Sequence, residues 1–108
     1  MRKTKAYLID STKKVVTQVE IGGYKDIQKY IDCRMFTTAC NLENGDTLFV
    51  DDESLIDGKD HEFFMFEDYL SPIAGNGLLI GSTESGEEAD CATNILDCAM
   101  KVQWLEKI

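Results

Sequence analysis

Apolar and polar residues alternate in a run close to the start of the chain. In KVVTQVEI, residues 14 to 21, Val15, Thr17, Val19 and Ile21 share one side of an extended backbone, while Val16, Gln18 and Glu20 share the other. KAYLID, residues 5 to 10, is a second run of strand formers, and the polar STK between the two predicts a β-hairpin. Gly22-Gly23 ends the alternation. The period then changes, with Tyr24, Ile27 and Ile31 at helical spacing and Lys25, Asp26, Gln28, Lys29 and Asp32 elsewhere, which predicts a short amphipathic helix laid against the sheet.

RMFTTAC, residues 34 to 40, and DTLFVDD, residues 46 to 52, flank NLENG, whose Asn44-Gly45 pair accepts the left-handed backbone of a tight hairpin turn. HEFFMFED, 61 to 68, and GLLIGST, 77 to 83, predict further strands, each preceded by a glycine turn. At the end of the chain, Ile95 or Leu96, Ala99, Val102 and Leu105 fall near one helical face, with Thr93 as a candidate N-cap. KVQWL taken alone has the pattern of a strand. Residues 1–108 are therefore expected to form a single α+β domain. It should hold a mostly antiparallel sheet of five or six strands, one helix after the first hairpin and one C-terminal helix.

Charge changes this picture more than composition does. The net charge is −9, but residues 1 to 50 stand at +2 and residues 51 to 108 at −11. Phosphate backbones are met by Lys and Arg, so this balance argues against direct nucleic-acid binding and points to a partner protein with a basic surface. The basic start is followed by too short an apolar run for a signal peptide, and no segment has transmembrane length. A cytoplasmic protein with reduced cysteines and no membrane association is expected.

Candidate chemistry is sparse. SPIAGNGLLIGSTESGEE, residues 71 to 88, holds four of eight glycines and the one proline. A dinucleotide fingerprint needs its glycines at the start of a helix, whereas GNGLLIG spaces its last glycine one residue too far and runs into a strand pattern. Turn chemistry is the simpler account, with Gly75, Asn76 and Gly77 as an alternative small-ligand or nucleotide pocket. DDESLIDGKDHE, 51 to 62, has the length of a calcium loop, but Leu55 and Ile56 stand where an oxygen ligand and a glycine are needed. Cys33 and Cys40, then Cys91 and Cys98, are spaced C-x6-C, which is not a zinc knuckle. His61 is the single histidine, and no serine or cysteine motif accompanies it. No catalytic residue, metal or cofactor is implied. FFMF, 63 to 66, puts apolar residues on both faces of a strand. It fits a central strand, or one with an open face for a partner rimmed by Glu62, Glu67 and Asp68.

FEDYLSPIAGNGLLIGSTESGEEADC, followed by NILDCAMKVQWL, resembles the closing part of a family of small uncharacterised proteins carried by bacteriophages and mobile elements. The resemblance implies a hairpin and helix followed by a glycine-bearing strand. It also implies binding to a host or phage protein in the host cytoplasm, in some cases by imitating the charge of DNA. The function expected first is thus a non-enzymatic binding or regulatory protein. Asp51, Asp52, Glu53, Asp57, Asp60 and Glu62 form one candidate patch, and Glu84, Glu87, Glu88 and Asp90 another. The ligand pocket at Gly75–Gly77 is the second expectation and an enzyme of unassigned chemistry the third; a homo-oligomer is compatible with all three.

Overall fold

The computed structural model describes residues 3–53 and 61–105. In chain order the elements are β1 (Thr4–Asp10), β2 (Val15–Ile21), α1 (Tyr24–Ile31), β3 (Phe36–Asn41), β4 (Thr47–Asp51), β5 (Phe63–Phe66), β6 (Tyr69–Ala74), β7 (Gly77–Ser82), β8 (Glu88–Ala89), α2 (Ile95–Met100) and β9 (Val102–Leu105). Both expected hairpins form. β1 pairs antiparallel with β2, and Asp10 shapes their turn by accepting from the backbone N–H groups of Thr12 and Lys13, each at 3.1 Å. β3 pairs with β4 across the Asn44-Gly45 turn, where Gly45 has φ of 94°.

β7 joins the two hairpins. It lies between β1 and β4, antiparallel to both, giving the order β2-β1-β7-β4-β3, and β8 pairs with its far end. A second antiparallel sheet has the order β6-β5-β9. The α+β class, largely antiparallel, is as the sequence predicts.

The centre of the larger sheet is buried on both faces, which explains why GLLIGS in β7 is a continuous apolar run rather than an alternating one. Ala6, Leu78 and Ile80 face one way and pack with Ile27 and Ile31 of α1. Tyr7, Ile9, Leu48 and Leu79 face the other way and pack with Phe64, Phe66 and Ile73 of the small sheet and with Cys98 of α2. FFMF is the central strand of its own sheet. Phe64 and Phe66 are buried, while Phe63 and Met65 are half-buried.

α1 is as expected. Asp26 reaches back to accept from the Gly22 N–H at 2.7 Å, and Asp32 ends the helix in the left-handed region at φ of 61°. The closing segment differs. The helix ends at Met100 and the chain continues as β9, because Val102 and Trp104 gain a pairing edge on β5 that a longer helix would forgo. The Phe64 and Trp104 rings meet at 6.3 Å. The N-cap is Asn94, whose side chain accepts from the Asp97 N–H at 2.9 Å, and not Thr93. β6 shows no alternation and contains Pro72, and a strand at the edge of a sheet tolerates both.

Gly81 can carry no side chain, since a Cβ there would overlap the backbone carbonyl oxygen of Asp90, where the chain from β8 turns back across β7. At Gly86 a Cβ meets nothing within 4 Å, although φ is 87°. Gly81→Ala is accordingly expected to destabilise by about 2 kcal/mol or more, and Gly86→Ala by about 1 kcal/mol. Thermal unfolding would show a drop on the order of 10 °C for the first and about half that for the second. Equal shifts would remove the packing account of Gly81.

Candidate functional site

Strand register fixes which turns meet. Thr47 lies opposite Ile80 and Val50 opposite Gly77, so the β3–β4 turn and the β7–β8 turn share one end of the larger sheet. The Gly75–Gly77 turn and the segment after β4 share the other end.

At the first end, a buried carboxylate organises the surface. Asp46 is 1% exposed and accepts from the Ala92 N–H at 2.9 Å, the Thr93 N–H at 2.8 Å, the Thr93 hydroxyl at 2.6 Å and the Cys91 thiol at 3.2 Å. Asn44 completes the cluster, accepting from the Asp46 N–H at 3.0 Å and donating its amide to the Thr93 hydroxyl at 2.9 Å. Burial alone would raise the Asp46 pKa. The donors from Thr93, Ala92 and Cys91 outweigh it and hold the group below the ordinary aspartate value. Nearby, the Ser82 hydroxyl donates to the Gly45 carbonyl at 2.8 Å, fixing one turn against the other.

This end of the sheet also carries exposed acids. Glu84, Glu87 and Glu88 stand on the β7–β8 hairpin, whose turn is closed by Thr83 N–H to Glu87 O at 2.8 Å and Glu87 N–H to Thr83 Oγ1 at 3.1 Å. Asp90 follows and accepts from the Lys5 N–H at 2.8 Å. Glu43, exposed on the facing β3–β4 turn, joins them. The second acidic patch expected from sequence thus lies at this end of the sheet, an acidic pole that also carries Glu43. Nothing local marks Glu43, because only the register of β4 on β7 carries it there.

The first expected patch lies at the opposite end of the sheet and is less open. Asp51 is buried and accepts from the Glu53 N–H at 2.8 Å, while Glu53 binds the Arg34 guanidinium. The Arg34 pKa is raised by that pairing. Asp52 is exposed, and the Glu62 carbonyl accepts from the Gly75 N–H at 2.8 Å. Asp57 and Asp60, with most of the calcium-like loop, lie outside the described residues.

The Gly75–Gly77 turn is engaged in packing. Asn76 Oδ1 accepts from the Ser11 N–H at 3.1 Å, and its amide donates to the Tyr30 carbonyl at 3.3 Å. A Cβ on Gly77 would stand 2.9 Å from Phe64 Cζ, and His61 Nδ1 lies 3.5 Å from where a Cβ on Gly75 would be. Among the described residues, no group of three or more His, Cys, Asp or Glu side chains is placed to hold a metal ion.

No disulfide joins the cysteines. Cys33 packs on the α1 side of the larger sheet and Cys40 on the other. Cys91 precedes α2 rather than lying within it, and both Cys91 and Cys98 are buried. Burial pushes the Cys98 thiol up to about 12 and raises the Cys91 thiol further, with Asp46 adding to the effect on each.

Residues 2–103 match the model of a family described as a domain of unknown function, DUF3846. No curated protein and no solved structure matches the chain.

Two outcomes follow from the Asp46 cluster. Asp46→Ala leaves buried donors without an acceptor and should cost about 3 kcal/mol at neutral pH in urea unfolding. Because the folded pKa is depressed, the contribution of Asp46 is full above the ordinary value of 3.8 and is lost as pH falls through the lower folded value. The gap between wild type and Asp46→Asn should therefore narrow only in strong acid; a gap independent of pH would refute the ionised state. Second, Cys91 and Cys98 should resist a thiol reagent at about pH 8 in the native protein and react once it is unfolded. Rapid native labelling of either would contradict their burial.

Proposed function

The chain belongs to the DUF3846 family, whose description carries no activity, so we propose its function from its surface: a small, non-enzymatic protein that binds a basic protein surface through its acidic pole. The observation that carries this reading is that exposed Glu43, Glu84, Glu87, Glu88 and Asp90 share one end of the larger sheet, where the Ser82–Gly45 bond fixes the β3–β4 turn against the β7–β8 hairpin. Charges on turns held by hydrogen bonds cost little backbone freedom on binding, and an excess of carboxylates speeds encounter with a cationic partner. Asp46, Thr93 and Asn76 spend their side-chain hydrogen bonds on holding the fold together, which leaves the exposed charge as the feature this reading uses.

The resemblance to proteins of phages and mobile elements adds a context. The partner is then a host or phage protein met in the cytoplasm, and the pole takes the place of a row of DNA phosphates. Among the described residues no helix is long and apolar enough to cross a membrane.

Affinity capture on the immobilised protein tests the reading, comparing wild type with the triple reversal Glu84→Lys, Glu87→Lys and Glu88→Lys at about 50 mM and 500 mM salt. A basic protein held by wild type at low salt, released at high salt and missing from the reversed variant is the expected result. The same proteins held by both forms at both salt concentrations would sink it.

A further inference from the structure

α2 turns an apolar strip outward. Leu96 and Met100, four residues apart on one helical face, are 74% and 84% exposed, while Cys98 between them is buried. Leu70 on β6 is 95% exposed. Met100 divides two adjoining clefts. One, of about 390 Å³, is bordered by Asn44, Thr93, Asn94 and Asp97; the other, of about 340 Å³, by Met65, Tyr69, Leu70 and Gln103. Both also touch Glu67 and Lys101.

The rim of this double cleft is acidic. Lys101 Nζ lies 2.9 Å from Glu67 and 3.0 Å from Asp68, so it is already paired, and these two carboxylates with Asp97 leave an excess of negative charge around the apolar centre. The same pairing raises the Lys101 pKa.

We propose that this double cleft receives a basic amphipathic helix of a partner protein. Its apolar side chains would cover Met100 and Leu70 in the clefts and Leu96 one turn away on α2, and its Lys or Arg residues would meet Glu67, Asp68 and Asp97. An apolar strip at helical spacing with an acidic rim matches that partner in both shape and charge. Methionine suits the centre because its side chain adapts to the shape of what covers it. A second copy of this chain is a poorer match, since a two-fold contact would set acidic rim against acidic rim on molecules that each carry −9. The proposal rests on the reading of the protein as a binder of basic surfaces and adds the class of partner and its seat.

The test measures binding of the full chain to three synthetic peptides by fluorescence anisotropy. These are a Leu/Lys peptide with leucines at helical spacing, a scrambled peptide of the same composition, and a Leu/Glu peptide of the first pattern. The patterned Leu/Lys peptide is expected to bind at least about tenfold tighter than the scrambled one. Leu96→Ser combined with Met100→Ser, two exposed positions whose loss should leave the circular dichroism unchanged, is expected to erase that difference. Equal binding of the patterned and scrambled peptides would overturn the cleft while leaving the acidic reading intact, whereas a Leu/Glu peptide that binds as well as Leu/Lys would overturn the basic character of the partner. If the triple reversal at Glu84, Glu87 and Glu88 leaves patterned binding unchanged, the cleft acts without the acidic pole. A concentration-dependent dimer in sedimentation that the Leu96/Met100 variant loses would assign the cleft to a second copy and overturn the proposal.

Discussion

The carboxylate of Asp46 is the interaction on which the exposed features depend. It collects two backbone N–H groups, a hydroxyl and a thiol from residues 91 to 93, and so ties a turn in the first half of the chain to the segment that launches α2. A buried carboxylate is tolerable only when its oxygens are fully met, and this one is. Among the described residues, no buried side-chain nitrogen or oxygen lacks a partner. The place of α2, hence of Leu96 and Met100, descends from this one group, and the Ser82–Gly45 bond beside it fixes the two acidic turns against each other.

Asp46 also shows where sequence reading stops. Its neighbours placed it at the start of a strand after a turn, and that is nearly right, since β4 begins one residue later. Nothing in NGDTLFV says that its partners sit 45 to 47 residues away. The two hairpins and α1 were legible because alternation, the Asn44-Gly45 turn and helical spacing are local signals of local structure. β6 was not, because an edge strand that exposes Leu70, Ser71 and Pro72 in succession has no period to read. β9 was hidden by its own residues: Val102 and Leu105 fit a helical face continuing from α2, and pairing with β5 decided the matter.

The candidate site divides along the same line. Glu84, Glu87, Glu88 and Asp90 were found as a run because a hairpin keeps sequence neighbours together. Glu43 was not, being brought to them across strand pairs. At the other end of the sheet, Asp51 and Glu53 read as free surface charge, yet one closes a turn and the other meets Arg34, 19 residues earlier. Counting charges identifies an acidic half of a chain; register decides which of those charges face a partner.

The central position of β7 has a consequence in time. The two hairpins β1–β2 and β3–β4 have close-range turns, and such units form on the order of microseconds. They cannot become one sheet until β7 enters between them, and its contacts with β1 join residues roughly 70 positions apart in the chain. Closing so long a span before any reward is what slows folding in sheet proteins. Within the larger sheet, the insertion of a strand apolar on both faces between the two hairpins is the pairing that closes the longest span of chain. During synthesis, those hairpins would stand with their inner edges unpaired until residue 82 had emerged.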